Sequence, residues 1–158
     1  MLSSLHENNI TSKGACLLFD FMKDSNKSSI IEFSLSENHI NDESMHSLGD
    51  LLKNNKYFES VNIGGYSNKG NNITDKGIEI LLPYLIGNTS LKSIEFSQNK
   101  GITNKSIPIF LKIIKDSNIY NLDINGTLII DESIFAYPLI ENYLRSDEKE
   151  IRIDFSKK

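Results

Sequence analysis

The sequence predicts an α/β fold in which a short strand and a helix alternate about five times to form a solenoid. Two observations lead to this prediction. One phrase of alternating apolar residues recurs four times, and its copies begin at Ile30, Phe58, Leu91 and Ile119. Each copy is followed by a segment whose apolar residues recur at helical spacing. The copies are spaced by 28, 33 and 28 residues, which is enough for one strand and one helix each.

The recurring phrase is predicted to form the strands. In its first full copy, at residues 30–40, apolar residues alternate with polar ones, as in a short strand that buries one face. An asparagine follows the strand in most copies, but Thr127 replaces it in the last full one. The copy that begins at Phe58 is longer than the others, so we interpret Gly64–Asn71 as an insertion loop before Asn72. Partial copies lie at residues 5–10 and 151–153.

The segment after each phrase is predicted to form a helix. Asp, Asn, Ser or Thr side chains at its start can accept hydrogen bonds from the free N–H groups of a first turn. Proline within a helix removes a hydrogen bond, so we expect a kink or an interruption at Pro83 and Pro138, whereas Gly87 should end its helix. Cys16, beside the first apolar stripe, is expected to be buried. The apolar residues at helical spacing are Leu17, Leu18, Phe21 and Met22; Leu48, Leu51 and Leu52; Leu81, Leu82 and Leu85; Phe110, Ile113 and Ile114; and Ile140, Tyr143 and Leu144.

No single strand–helix unit can bury its apolar faces alone, so the units must stack. The phrase L-x-x-L-x-L-x-x-N, with a helix in every unit, resembles the leucine-rich repeat of the ribonuclease-inhibitor type. It has a looser similarity to the repeat domains of tropomodulin-like and Ran-GTPase-activating proteins. The resemblance implies a leucine-rich-repeat solenoid, a right-handed superhelix with a parallel concave sheet inside and helices outside. We expect a single such domain over residues 1–158, with half a repeat at the amino terminus and a final strand at 151–155.

Composition and charge exclude several classes of function. The 158 residues are 39% hydrophobic and 24% charged, which is enough to form a core. No apolar run reaches the roughly 18 residues of a membrane span and no secretory signal is visible, so we expect a cytoplasmic protein without a membrane partner. A net charge of −4 gives no reason to expect nucleic acid. The single cysteine excludes a disulfide framework and a multi-thiolate metal site.

We expect no catalytic residues, no metal and no cofactor. His6, His39 and His46 are scattered and have no zinc-binding spacing. Glu95 and Asp123 are predicted neighbours on adjacent strands, but acid–base catalysis requires a closed pocket, which an open sheet does not provide. We therefore interpret these two residues as a solvated carboxylate pair, and the chain as non-enzymatic.

The resemblance implies that the concave strand face binds protein. Aligning the copies places Glu32 in one column of outward-facing residues on this face. Tyr66, an amphipathic ring in the Gly-rich insertion loop, is the other candidate, because loops on a rigid scaffold often carry function. The central column of the strand face consists of Ser34, Asn62, Glu95, Asp123 and Arg152.

We therefore predict a protein–protein interaction module that presents a rigid surface, either the concave face or the Tyr66 loop, to a protein partner of unknown identity. Two alternatives stay open. One is a structural subunit of a larger assembly with its amino-terminal end buried, because Leu2 and Leu5 begin half a repeat without a polar cap. The other is a regulator of a small GTPase, by similarity to the Ran activators.

Overall fold

Short parallel strands and helices alternate along the chain in the computed structural model, which describes residues 2–24, 30–129 and 150–152. Each strand pairs with the next along the sequence in one parallel sheet ordered β1 to β6, so the chain is a solenoid. We number each repeat by the strand that begins it. The elements are β1 (Leu2–Ser4), α1 (Ser12–Asp24), β2 (Glu32–Ser34), α2 (Met45–Asn54), β3 (Ser60–Asn62), α3 (Asp75–Ile86), β4 (Ser93–Glu95), α4 (Ile107–Asp116), β5 (Asn121–Asp123) and β6 (Glu150–Arg152).

The strands divide their residues between two faces of the sheet. The middle residues of β2 to β5 are buried against the helices, and they are Phe33, Val61, Ile94 and Leu122. The flanking residues point to the opposite side, which we call the open sheet face. Burying one such apolar side chain contributes roughly 1.5–3 kcal/mol, so the alternation in the sequence fixes which face of the sheet is covered.

Buried asparagines join consecutive repeats. The Asn38 side chain accepts a hydrogen bond from Ile10 N and donates to Leu5 O and Leu35 O, all at 3.0 Å. Asn71 and Asn99 make the equivalent bonds one and two repeats later. The asparagine of repeat 3 is therefore Asn71, which we had assigned to the insertion loop. The residue expected in this position, Asn72, is exposed.

The turn after the strand requires a left-handed residue in several repeats. Glu7, Glu37, Gln98 and Gly126 have φ angles of 55°, 54°, 61° and 66°. Each precedes the asparagine position of its repeat, which is occupied by Thr127 after Gly126. The left-handed conformation is unfavourable for residues other than glycine, so the side-chain bonds of Asn8, Asn38 and Asn99 offset the strain at the three non-glycine positions before them.

A second set of hydrogen bonds links the starts of neighbouring helices. The Asp42 carboxylate accepts from Thr74 N at 2.8 Å and from Thr74 Oγ1 at 2.6 Å. Asp75 accepts in the same way from Thr103, and also from Ser106 Oγ. Burial by itself would raise the pKa of Asp75, but these hydrogen bonds, aided by the nearby Lys105, hold it below its ordinary value.

The buried face of α1 differs from the predicted one. Ala15 and Phe19 are fully buried, and the Phe19 ring lies 6.1 Å from the ring of Phe33. Leu17 and Phe21, which we expected in the core, are exposed. Cys16 is half-buried rather than buried. Apolar residues occupy almost every position from 15 to 22, so their spacing is compatible with more than one face, and packing against repeat 2 selects between them.

The proline and glycine predictions have mixed outcomes. The helix α3 runs through Pro83 without interruption. Pro83 and Glu79, the residue one turn before it, are both exposed, so water can replace the missing hydrogen bond. Gly87 ends α3, as predicted. Pro138, the fifth apolar stripe and residues 153–155 of the predicted final strand lie outside the described residues, and β6 is described as Glu150–Arg152.

Candidate protein-binding surface

A pocket of about 330 Å³ lies on the open sheet face. Because parallel strands in register place equivalent residues side by side, the recurring phrase brings residues from several repeats into this pocket. Ser60, which sequence alignment of the copies places in the same column as Glu32, also lines it, as do Ser4 and His6, which sequence reasoning did not select. The predicted binding residues in the pocket are Glu32, Ser34, Asn62, Tyr66 and Glu95.

Two further predicted residues extend the central column beyond the pocket. Asp123 lies opposite Glu95 in the register of β4 and β5, and Arg152 lies opposite Asp123 in the register of β5 and β6. Asp123 Oδ1 accepts a hydrogen bond of 2.8 Å from Asn125 N. The central column is therefore continuous across the sheet, although only its first part faces the pocket.

Tyr66 lies against the open sheet face and not apart from it. The Asn62 side chain donates through Nδ2 to Tyr66 Oη, at 3.4 Å, and to Glu95 Oε2. Asn62 Oδ1 accepts from Gly64 N at 2.9 Å. The two surfaces that the sequence presented as alternatives are therefore joined through one buried amide.

The insertion loop reverses direction directly after Tyr66. Tyr66 and Lys69 form an antiparallel bridge, with Lys69 N donating to Tyr66 O at 2.8 Å. The two residues between them, Ser67 and Asn68, have φ angles of 47° and 70°. Positive φ at both central positions is the geometry of a type I′ turn, which keeps a two-residue hairpin loop tight.

Contacts with both neighbouring repeats fix the path of the loop. Tyr66 N donates to Glu37 Oε1 of repeat 2 at 3.2 Å. Ser97 of repeat 4 accepts from Gly65 N and donates to Gly65 O through its hydroxyl group. A Cβ atom at Gly65 would overlap the carbonyl group of Lys69. Only glycine fits at this position, and the close approach of the chain holds Tyr66 over the sheet.

The pocket combines acidic groups with the exposed aromatic ring of Tyr66. Glu32 and Glu95 bring carboxylates, and the Tyr66 side chain is 58% exposed. Lys92, which precedes β4, pairs with Glu59 at 2.8 Å, and this hydrogen bond raises the pKa of Lys92. Because the charge of Lys92 is balanced by Glu59, it does not offset the carboxylates of the pocket.

A larger groove of about 640 Å³ runs along the loops that follow the strands. An ion pair of 3.5 Å between Glu7 and Lys69 lies beside it, and Lys100 Nζ donates to Gln98 Oε1 and Gly126 O. Sequence reasoning missed this groove, because it treated the asparagine-rich loops only as turns. Glu7 and Lys69 pair with each other, Glu37 accepts from Tyr66 N, and Lys100 bonds to Gln98 and Gly126, so the composition of the groove does not single out a ligand.

The histidines do not form a common site. His6, His39 and His46 bond to different partners, respectively Ser4, Asn9 and Tyr84. Among the described residues, no three or more His, Cys, Asp or Glu side chains are grouped so that they could hold a metal ion. Within the same residues, every helix is too short or too polar to cross a membrane.

Solved structures of other proteins share this fold. The actin-binding site 2 of leiomodin-1 superposes with a TM-score of 0.71 at 21% sequence identity, over 89% of this chain and 78% of that one. The tropomodulin C-terminal domain of Caenorhabditis elegans gives a TM-score of 0.68 at 15% identity, over 90% of this chain and 82% of that one. The predicted fold class, a leucine-rich-repeat-like α/β solenoid, is thereby confirmed.

Sequence comparison adds one relative. The chain is 25% identical over 105 residues, 65% of its length, to the Rho GTPase-activating protein gacW of Dictyostelium discoideum. The match spans 9% of gacW, so it concerns a small part of that protein. No model of a known protein family matches the chain.

Proposed function

We propose, from this leucine-rich-repeat-like fold, that the domain is a non-enzymatic protein-interaction module whose binding surface is the open sheet face together with Tyr66. One observation carries the proposal: the Asn62 amide bonds to both Tyr66 and Glu95 and joins the loop to the sheet. A surface that is already ordered loses little conformational entropy on binding.

The composition of the pocket favours a basic side chain of the partner. A lysine or arginine that enters between Glu32 and Glu95 would form charge-assisted hydrogen bonds with the carboxylates. The same cation could lie over the exposed ring of Tyr66, where a cation–π contact adds to the attraction. Tyrosine is also among the residues that most often dominate binding energy at interfaces.

Actin is the first partner to test. The leiomodin-1 domain with the same fold is described as an actin-binding site. We extend that property to this chain as a proposal, and with it the cytoplasmic location that actin binding requires. Monomeric actin is the suitable probe, because it presents its surfaces without filament contacts.

Titration of fluorescently labelled monomeric actin with the 158-residue chain tests the proposal. Tyr66→Ala should weaken binding by about 30-fold, which corresponds to loss of about 2 kcal/mol of a central aromatic contact. Glu95→Gln should weaken it less and reduce its dependence on salt. Tyr57→Ala is the matched control, because Tyr57 is equally exposed but lies outside the pocket. Equal losses for Tyr66→Ala and Tyr57→Ala would contradict the assignment of this surface.

Cross-linking mass spectrometry separates the proposed module from its structural alternative when actin does not bind. Cross-links from Lys69 and Lys92 to one captured protein would place the partner near the open sheet face. Cross-links confined to Lys13 and the amino terminus would favour a subunit whose first repeat is buried in an assembly.

The GTPase-regulator alternative rests on the similarity to part of gacW. A GTP-hydrolysis assay with a Rho-type GTPase, with and without the chain, tests it directly. An interaction module without catalytic residues should leave the hydrolysis rate unchanged, and an acceleration would reject the non-enzymatic assignment in favour of this alternative.

Two finer points of the architecture are also proposals. We assign the repeats to the ribonuclease-inhibitor subtype, supported by α helices of 10 to 13 residues in repeats 1 to 4. We also assign residues 1–158 to a single domain, supported by the sequential strand order of one sheet. Limited proteolysis, which cuts preferentially between domains, tests the second assignment.

A further inference from the structure

Asn125 is the only asparagine in the sequence that is followed directly by glycine. An asparagine side chain loses ammonia when the backbone nitrogen of the next residue attacks its amide carbon. Glycine favours this attack because it has no Cβ atom to shield its nitrogen. Asn125 and Gly126 lie in the turn that follows β5 and are both half-buried, so water reaches this part of the chain.

The two reacting groups are Gly126 N and the side-chain amide of Asn125. Within the described part of the chain, neither group forms a hydrogen bond. The asparagines of the earlier repeats differ, because Asn38, Asn71 and Asn99 each use both side-chain polar atoms in bonds between repeats. The side chain of Asn125 can therefore change its rotamer without breaking a bond to a described residue.

The surrounding bonds favour loss of the proton from Gly126 N. The anion that results shares its charge with Asn125 O, because both atoms belong to one peptide bond. Gln98 N donates to Asn125 O at 2.7 Å, and Lys100 Nζ donates to Gly126 O. A hydrogen bond to a charged atom is stronger than one to a neutral atom, and a nearby cation favours negative charge. Both contacts therefore stabilise the attacking form of Gly126 N.

The turn opposes the attack as long as it is closed. Thr127 N donates to Ile124 O at 3.3 Å, and Gly126 has a φ angle of 66°, whereas the φ angle of Asn125 is not positive. This combination defines a type II turn, in which the first central residue has an extended ψ of about 120°. Such a ψ turns Gly126 N away from the side chain of Asn125. Ring closure therefore requires the turn to open.

We propose that Asn125 is a site of spontaneous deamidation and that opening of this turn sets its rate. In the open turn, Gly126 N gives up its proton and attacks Asn125 Cγ. The bond from Cγ to Nδ2 breaks, and the leaving nitrogen takes up a proton and departs as ammonia, so that a cyclic imide remains. Water then cleaves the imide at Cγ to give aspartate, or at the main-chain carbonyl carbon to give isoaspartate. Water is consumed, ammonia is released, and no group is oxidised or reduced.

Both products alter the junction between repeats 4 and 5. Aspartate adds a negative charge two residues after Asp123, and like charges repel. Isoaspartate adds one carbon atom to the main chain of the turn, which we expect to weaken its bonds to Gln98 and Lys100. The change is one-way, because nothing in the reaction restores the amide. Asn125 does not line the pocket on the open sheet face, so the inference does not rest on the proposed function.

Peptide mass mapping of the 158-residue chain tests the proposal after incubation at neutral pH in water labelled with heavy oxygen. The label enters only at an asparagine that deamidates during the incubation, and chromatography separates the aspartate and isoaspartate peptides. Asn125 should convert faster than every other asparagine. Its rate should rise by about tenfold or more in urea above the unfolding transition, where the turn is open.

Two variants of Thr127 isolate the effect of the turn. Thr127→Asn should slow the reaction of the folded chain by about tenfold, or about 1.4 kcal/mol, because asparagine can bond to Ile124 O and Ile102 N as Asn38 bonds to the equivalent atoms. Thr127→Ala should speed the reaction, because it removes the bond from Thr127 Oγ1 to Ile124 O. In urea above the unfolding transition, both variants and the original chain should react at the same rate, which is the matched control.

Three results would overturn the proposal. One is unmodified Asn125 in the folded chain after the unfolded chain has converted completely, because the folded protein would then not carry the site. Another is faster conversion of a different asparagine in the folded chain. The third is an equal rate in the folded and unfolded chains, or in the three folded chains that differ at Thr127, because the turn would then not control the reaction.

Discussion

Replacing Asn71 by alanine tests the asparagine assignment of repeat 3. The change removes the acceptor of Ile40 N, and no other acceptor for this N–H exists among the described residues. Leu35 O and Ile63 O each lose one donor but keep another, from Asn38 and Asn99 respectively. One buried N–H without a partner costs about 2 kcal/mol and each lost second bond about 0.5 kcal/mol, so the variant should lose about 3 kcal/mol.

Asn72→Ala is the matched control. The Asn72 side chain is exposed, and its backbone N–H, which donates to Ile40 O, is kept by alanine. Its effect should stay within about 0.5 kcal/mol. Urea unfolding followed by circular dichroism measures both variants, and the melting temperature of Asn71→Ala should fall by about 6–12 °C. Similar losses in the two variants, or a larger loss in Asn72→Ala, would refute the assignment.

Two further predictions concern Asp75 and Gly65. Hydrogen bonds hold the folded-state pKa of Asp75 below the ordinary value of 3.8, so its ionised form stabilises the fold above about pH 4. This contribution to stability is lost as the pH falls through the folded-state pKa. Urea unfolding at pH 7 and pH 3 should therefore show a stability deficit of Asp75→Asn that shrinks in acid; a constant deficit would exclude ionisation as its cause. Gly65→Ala should lower the free energy of unfolding by about 1–3 kcal/mol through overpacking against Lys69, and it should also weaken partner binding. Gly87→Ala is the control, because the added methyl group meets open space, and it should change neither stability nor binding. Equal stability of these two glycine variants would show that the loop accommodates a side chain.

The architecture could be predicted because strand residues repeat with a fixed register. The spacing of Phe33, Val61, Ile94 and Leu122 alone placed these residues opposite one another. The error at Asn71 arose from two adjacent asparagines after a loop of unknown length, where spacing cannot distinguish them. Ile63 and Asn71 are eight positions apart, but Leu35 and Asn38 are three apart.

The face of α1 could not be predicted, for a different reason. An apolar stripe indicates which residues can be buried, but only the neighbouring repeat determines which are. Phe19 is buried and its ring lies against that of Phe33 of repeat 2, whereas Phe21 is exposed. The sequence of a helix in a repeat array therefore does not by itself show which of its apolar residues are buried, because burial depends on the neighbouring repeat.

For the candidate site, the sequence selected the side chains but not their connection. The central column follows from the register, and the composition of the loop suggested Tyr66. The bond from Asn62 to Tyr66 is accompanied by a contact between Gly65 and Ser97, which come from different repeats and are 32 residues apart. Contacts of this kind leave no periodic signal, so they could be found only in the structure.

The asparagine bonds also set a boundary for cooperative unfolding. Leu5 O, Leu35 O and Ile63 O each accept hydrogen bonds from two successive asparagines. A continuous series of hydrogen bonds, which we call the asparagine spine, therefore runs through repeats 1 to 4, and each bond in it polarises the next. The spine ends before Thr127, which replaces the asparagine of repeat 5, and Ile102 N donates instead to Asn99 O of its own repeat. Fraying should therefore begin between repeats 4 and 5, and the four repeats joined by the spine should melt as one unit.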